Sequence, residues 1–329
     1  MQNITLIGAG NIGKLHAANI AAHPRSRLVN VVDIDPANGE SLAAAYGARS
    51  SSLESALGDP DIDAVVITSA TSTHADLIER AAHAGKRIFC EKPIDLAYER
   101  VLSCLETVKR YEALLFIGFN RRFDPNMAHL KSSLDSGEIG NLELLTICSR
   151  DPGALPIEYL KISGGMWRDM TIHDFDLARW ILGEEPVTVH GVASALTSDA
   201  IRDIGDIDTA VVTLRCASGR LAVITNSRRA VYGYDQRVEA HGSDGMLAVE
   251  NVPKSTLVKS TQEGVIKQKP KDFYMDRYPE SYRIEWDRFL NACEGQEPPA
   301  VHGWDGERAL ALAEAAYESL ATGKMINVS

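Results

Sequence analysis

Nowhere in the 329 residues do two cysteines stand in CxxC spacing; the five present (Cys90, Cys104, Cys148, Cys216, Cys293) are scattered and odd in number. That argues against a disulfide framework and against a structural zinc site, and favours buried free thiols in a reducing compartment. Long apolar runs are missing too, since none reaches the ~18 residues of a membrane span. The opening MQNITLIGAG has neither the basic n-region nor the apolar h-region of a secretory signal and enters a strand pattern at once. A cytoplasmic protein with no membrane partner is expected. Positive charge is scarce: 34 Lys and Arg stand against 45 Asp and Glu, a net charge of −11. A nucleic-acid partner therefore has no electrostatic support. Internal repeats and low-complexity segments are absent.

What is there suits a soluble globular chain with ample core, 45% hydrophobic and 24% charged, of two domains or one large one. Over the first ~120 residues short apolar runs alternate with amphipathic segments. ITLIGAG, RLVNVVDID, DAVVITSA, RIFCEKP and LLFIGF read as strands, with helices between them. Continuous apolar strands alternating with helices indicate an α/β domain with a parallel sheet covered on both faces. After Asn120 the style changes. LELLTICSR, VTVHGVAS, TAVVTLRCASGRLAVITNSRR, QRVEAHG, GMLAVEN and STLVKST read as successive antiparallel strands, with Gly219 in the RCASGRL turn. Helices are expected near 123–136, 168–182, 279–294 and 303–321. The predicted division is residues 1–120 as a dinucleotide-binding α/β domain and 121–329 as an α+β domain, with the last helix a candidate to pack on the first.

LIGAGNIG supplies Gly8-x-Gly10-x-x-Gly13 directly after a strand and at the opening of a helix. Gly8 permits the tight turn, Gly10 lets the backbone approach a pyrophosphate, and Gly13 allows close helix–strand packing; the helix N-terminus then faces the phosphates. The pattern alone is weak, because a structural turn also uses such glycines. Asp33 strengthens it by ending the second strand twenty residues after Gly13, where an acid can bind both ribose hydroxyls. A carboxylate there repels a 2′-phosphate, and Ile34 rather than an arginine follows it, so NAD is expected over NADP.

Two further stretches carry candidate chemistry. Lys92 of FCEKP ends a strand, at the edge of the sheet where ligands gather in open α/β folds, though a strand-end lysine is as readily a solvated charge. MWRDMTIHDFDLARW places Asp169 four residues before His173, on one helical face. A histidine suits the proton of an alcohol being oxidised, and a carboxylate one turn away can orient the ring and favour its imidazolium form. A lone helical histidine is otherwise a structural group. A metal pair is poorer, because only Asp174 and Asp176 lie near and no HExxH occurs. Lys92 with Asp169 and His173 is one possible site with parts from both domains.

GAGNIGKLHA, VVDID, EKP, GFNRRFDP, GGMWRDMTIHDFDLARW, YGYDQRVEAHGSDGML and WDGERALALAEAAYESLATG resemble, in order and spacing over nearly the whole chain, the glucose–fructose oxidoreductase and inositol dehydrogenase family. SRDPG and NSRRAVYGYDQR look most like its bacterial inositol 2-dehydrogenase subgroup. The resemblance implies a Rossmann domain, an open and mostly antiparallel sheet domain, and a homotetramer. It implies NAD-dependent oxidation of a cyclic polyol hydroxyl to a ketone, myo-inositol to 2-keto-myo-inositol above all. A scyllo-inositol or aldopyranose substrate is the nearest alternative, then an NAD-using glycosidase or a dinucleotide sensor. By the same resemblance Gly8, Gly10, Asn11, Ile12, Gly13, Asp33, Ser69, His74, Glu91 and Lys92 serve the cofactor. Lys92, Asp169 and His173 take the catalytic roles, with His173 the general base. Asn120, Arg121, Asp151, His173 and Tyr234 line the polyol pocket, a set of donors and acceptors that suits a substrate offering only hydroxyls. SATSTH departs from the family's Pro-Asn-x-x-His: Ala70 and Thr71 replace the Pro-Asn while His74 is kept. Ser149 stands where some inositol enzymes carry histidine, a change that bears on which stereoisomer fits.

Overall fold

Five apolar strands of the N-terminal region, with a two-residue polar strand at one edge, pair side by side beneath helices. In the computed structural model, which describes residues 1–328, β1 (Gln2–Ile7), β2 (Ser26–Val32), β3 (Arg49–Ser50), β4 (Ala64–Ile67), β5 (Arg87–Glu91) and β6 (Leu115–Gly118) form a parallel sheet in the order β3-β2-β1-β4-β5-β6. The order reverses between β1 and β4, which puts a ligand crevice at the carboxyl ends of those strands. β4 (AVVI) and β6 (LFIG) are buried at every position, as a doubly covered sheet requires. The helices are α1 (Asn11–Ala22), α2 (Pro36–Ala45), α3 (Leu53–Gly58), α4 (His74–His83) and α5 (Tyr98–Arg110). Asp35 caps α2 by accepting from the Ala37 amide, with Pro36 in the first turn. The two-residue β3 and six-residue α3 fall in a stretch whose periodicity predicted neither.

The chain divides into two compact units, Met1–Asn120 with Tyr282–Leu310, and Arg121–Ser281 with the residues from Ala311 onward. The first unit therefore also takes a segment that a single boundary at residue 120 leaves to the second. The reason is packing. Trp286 and Phe289, on the helix Pro279–Cys293, close an aromatic cluster with Phe89 of β5 and Phe116 of β6, Phe289 lying 5.6 and 5.8 Å from the two strand rings. Trp286 also donates from Nε1 to Ser26 Oγ at 3.1 Å.

The second unit holds a seven-stranded sheet of β7 (Leu142–Arg150), β8 (Pro186–Ser194), β9 (Thr209–Cys216), β10 (Leu221–Ser227), β11 (Asp235–Gly242), β12 (Gly245–Val249) and the short strand Ile326–Asn327. The order is β12-β11-β7-β10-β9-β8 and then Ile326–Asn327, antiparallel except where β7 pairs with β10 in parallel. Strict alternation in β9 buries Ala210, Val212, Leu214 and Cys216 and turns the intervening residues outward. Gly219, at φ +95°, makes the β9–β10 turn. One expectation is corrected: Val258–Thr261, within STLVKST, does not join this sheet but forms a separate exposed hairpin with Gly264–Lys267. Its residues alternate too little in polarity to offer one face to a core. The helices are α6 (Pro125–Asp135), α7 (Ile157–Leu160) and α8 (Ile172–Leu182), the last preceded by a π-helical turn, Trp167–Thr171. α8 stops at Gly183, whose φ of +64° lets its amide reach Arg179 O at 3.1 Å. All five cysteines are buried and free. Among the described residues no helix is long and apolar enough to cross a membrane.

Candidate active site

The glycine turn is shaped by close approach. A Cβ on Gly13 would lie 2.0 Å from the carbonyl oxygen of Gly8, and one on Gly8, at φ +105°, would lie 2.6 Å from the Ser69 amide nitrogen. Both positions exclude any side chain. Gly10 is different: nothing lies within 4 Å of where its Cβ would stand. The protein does not fill that space, and Gly10 caps α1 with no side-chain hydrogen bond, so the first amides of α1, from Asn11 and Ile12 onward, stay available to an anion. Asp33 ties the turn to the end of β2. Its Oδ2 accepts from Ala9 N at 2.6 Å and its Oδ1 from Asp35 N at 2.8 Å, which leaves each oxygen a lone pair for a hydroxyl. The next residue, Ile34, is fully exposed and neutral. Glycine cradle, open helix end and acid together fit a dinucleotide with a free ribose 2′-hydroxyl.

Beyond β4 and β5 the remaining cofactor candidates are fixed by short-range bonds. Ser69 Oγ and Thr73 Oγ1 lie 2.7 Å apart, and Thr73 also donates to Ala70 O at 2.7 Å, which closes the turn that replaces Pro-Asn. Thr71 opens the 3₁₀ turn Thr71–Thr73. His74 is buried, with Nδ1 2.8 Å from Pro93 O and Nε2 3.0 Å from Ser69 O. Burial pushes its pKa down, against the upward pull of those two carbonyls. The ring thus staples the loop after β4 to the loop after β5. The Glu91 carboxylate does not stand open: it meets His16 Nε2 of α1 at 2.8 Å, within a site where both side chains are buried. Lys92 follows, half-buried, with a cis peptide bond to Pro93.

In the second unit the acid–imidazole pair lies where a π-helical turn runs into α8, a kind of irregularity common at functional sites. Asp169 Oδ1 accepts from the Tyr159 hydroxyl at 2.9 Å and Oδ2 from Arg228 Nη2 at 3.2 Å. His173 stands one turn further on, half-buried. The neighbouring acids of the same segment are engaged with arginines. Asp174, fully buried, takes Arg121 Nη1 at 2.5 Å, Ser149 Oγ at 2.6 Å and Asn226 Nδ2 at 2.8 Å. Asp176 takes Arg122 through Nε at 2.8 Å and Nη2 at 2.5 Å. So the Arg-Arg of NRRF docks on the two acids of HDFD, and Arg121 is held in a buried ion pair that raises its pKa against the cost of desolvation. Ser149 Oγ, 3.0 Å from Arg121 and 3.1 Å from Gln236 Oε1, belongs to the same network.

Asp151 is buried just past β7, its amide donating to Ser227 O at 2.9 Å and its carbonyl accepting from Ala230 N at 2.7 Å. Burial pushes its carboxyl up to about 6, against the opposing pull of Arg228. Tyr234 packs edge-on to Phe273 and Tyr278, and burial drives its phenol pKa well above the usual value. Asn120 is buried at the end of the first stretch of unit one. Sequence reasoning missed Tyr159, Arg228 and His16. Arg228 had one local signal, a charged residue directly after the apolar strand β10; the others had none.

A parallel sheet with this glycine turn, together with a sheet unit bearing an ordered acid and a histidine, defines a class: the two-domain NAD-dependent oxidoreductases that act on CH–OH groups. Residues 2–119 match the family model described as an oxidoreductase family with an NAD-binding Rossmann fold, and residues 127–248 match the GFO/IDH/MocA C-terminal domain. The chain belongs to the GFO/IDH/MocA family. It is 50% identical to an inositol 2-dehydrogenase of Rhizobium meliloti (strain 1021) over 324 residues, 98% of each chain. Its structure matches that of a myo-inositol dehydrogenase from Corynebacterium glutamicum with a TM-score of 0.96 at 41% identity, covering 100% of this chain and 99% of that one. A scyllo-inositol dehydrogenase from Lactobacillus casei, solved with NAD(H) and scyllo-inositol, matches with a TM-score of 0.92 at 28% identity over 100% and 99%.

Proposed function

We propose that the chain oxidises one ring hydroxyl of a cyclic polyol to a ketone, with myo-inositol, giving 2-keto-myo-inositol, as its substrate. The observation that carries this reading is Asp169, gripped by two donors one turn before His173. The relative that shares half its residues with this chain, an inositol 2-dehydrogenase, supports the substrate class. In this reading the substrate hydroxyl bonds to His173 and Lys92. His173 accepts the hydroxyl proton at a ring nitrogen, Asp169 stabilises the imidazolium so formed, and Lys92 offers positive charge to the oxygen as it becomes an alkoxide. NAD, when bound, supplies the hydride acceptor. The Gly8–Gly13 turn and the start of α1 orient its phosphates and Asp33 its ribose, while Asn120, Asp151 and Tyr234 take the remaining substrate hydroxyls. Arg121, committed to Asp174 and Ser149, shapes that pocket through the network it holds. The protein works as a homotetramer in the cytoplasm, with the outward residues Val192, Val211 and Leu221 of the open sheet, all exposed in the single chain, available for association.

The test is absorbance at 340 nm with NAD, NADP and a panel of inositols and aldopyranoses. NADH formation strongest with myo-inositol is the expected result. A stronger response to scyllo-inositol or glucose moves the substrate within the class, and silence across the panel with NAD still bound overturns the reading. His173→Ala is expected to lower kcat by about 10²–10⁴ while NAD affinity is unchanged; full turnover in that variant removes the assigned base.

A further inference from the structure

The carboxylate of Asp169 is claimed from two sides by residues far apart in the chain. Tyr159, on the short helix α7, donates to Oδ1 at 2.9 Å, and Arg228, directly after β10, donates to Oδ2 at 3.2 Å. Arg228 is 1% exposed. A guanidinium that deep is costly unless a carboxylate compensates it. Arg121 and Arg122 are paired with Asp174 and Asp176, whereas the Nε of Arg228 meets no acceptor among the described residues. Through Nη2 Arg228 meets Asp169, and its charge also reaches the buried Asp151 carboxyl. We propose that Arg228 and Tyr159 are positioning residues: they hold the Asp169 carboxylate in one plane and offset its charge, and thereby set both the orientation and the basicity of His173. This rests on the assignment of His173 as base. The charged or titratable groups around the pair are Tyr159 and Tyr274, Arg228 with Tyr317, Asp151 after β7, and Asp174 with Arg121 on the α8 side.

The test follows the His173 imidazole by NMR titration in the whole protein, with its resonance identified by loss in His173→Ala, alongside the pH profile of turnover. Arg228→Met leaves the Asp169 charge less compensated, which favours the imidazolium, so His173 is expected to titrate about one pH unit higher and the acid limb of kcat/KM to move with it. Arg228→Lys is expected to return the titration most of the way while kcat stays reduced, because a lysine restores charge but not the planar fork. Tyr159→Phe is expected to lower kcat more than it raises KM. An unmoved His173 titration in a folded Arg228→Met protein overturns the proposal, whatever the substrate. Should that variant not fold, an unchanged titration and turnover in Tyr159→Phe overturns it instead. No NADH from any polyol with the wild-type protein, together with the shifted His173 titration in Arg228→Met, sinks the functional reading and upholds the clamp.

Discussion

The turn after β1 and the acidic start of α8 prepare for chemistry by opposite means. At the turn the work falls to backbone amides, and the sequence contributes mainly by leaving side chains out at Gly8, Gly10 and Gly13. At α8 it falls to side chains, and the ion pairs that hold them reach more than fifty residues along the chain, as Arg121 does to Asp174 and Arg228 to Asp169. A site made of backbone needs only local spacing. A site made of charges in a buried setting needs every charge answered, and the answers come from wherever the fold delivers them.

The contrast is broken most forcefully at the ion pair. Arg121→Met strands the buried Asp174 carboxylate and is expected to cost about 3–5 kcal/mol in urea unfolding, while adding Asp174→Leu recovers most of the loss. Recovery is the informative arm, since failure to recover would give the pair a role beyond mutual neutralisation. Gly13→Ala comes next. Its Cβ would meet the Gly8 carbonyl at 2.0 Å, so a loss of about 3 kcal/mol is expected, the upper range for overpacking, together with NAD binding. Asp151 sharpens the charged side through pH. Burial lifts its folded pKa to about 6, above the ordinary 3.8, so the folded state holds the proton more tightly and the penalty for ionising it grows as pH rises through that interval. Asp151→Asn is expected to raise stability by on the order of 2 kcal/mol at pH 7–8 and to give no gain below pH ~4, read from urea midpoints across pH. The smallest effect on the fold is expected at Gly10→Ala, within about 1 kcal/mol, because no atom lies within 4 Å of the added methyl. NAD titration should nonetheless show affinity weakened by about tenfold. Equal losses of fold and affinity would erase the distinction between Gly10 and Gly13.

The same contrast explains what was legible in the sequence. Strands β1, β2, β4, β5 and β6 and their covering helices follow from local periodicity, and the glycine turn with Asp33 follows from spacing. β3 and α3 are too short to show a period. The π-helical turn at Trp167–Thr171 leaves no mark in a pattern that reads as continuous helix. The return of Tyr282–Leu310 to the first unit, and the parallel pairing of β7 with β10, are decided by tertiary packing. In the candidate site, the choice of Asp169 and His173 rests on their spacing. Their supports show no such spacing, because Tyr159 and Arg228 lie 10 and 59 residues from Asp169 and no local rule connects them.

Asp33 sets a limit on how cofactor preference can evolve in this chain. Its carboxylate, proposed to hold the ribose, is already the acceptor for the amides of Ala9 and Asp35. A mutation to a small residue that made room for a 2′-phosphate would also release both amides and loosen the Gly8–Gly13 turn, proposed to orient the phosphates. The intermediate on the path from NAD to NADP is thus impaired toward both. Exchange at this position requires a second substitution that takes over the two amides, so the preference is protected by the fold as much as by the charge.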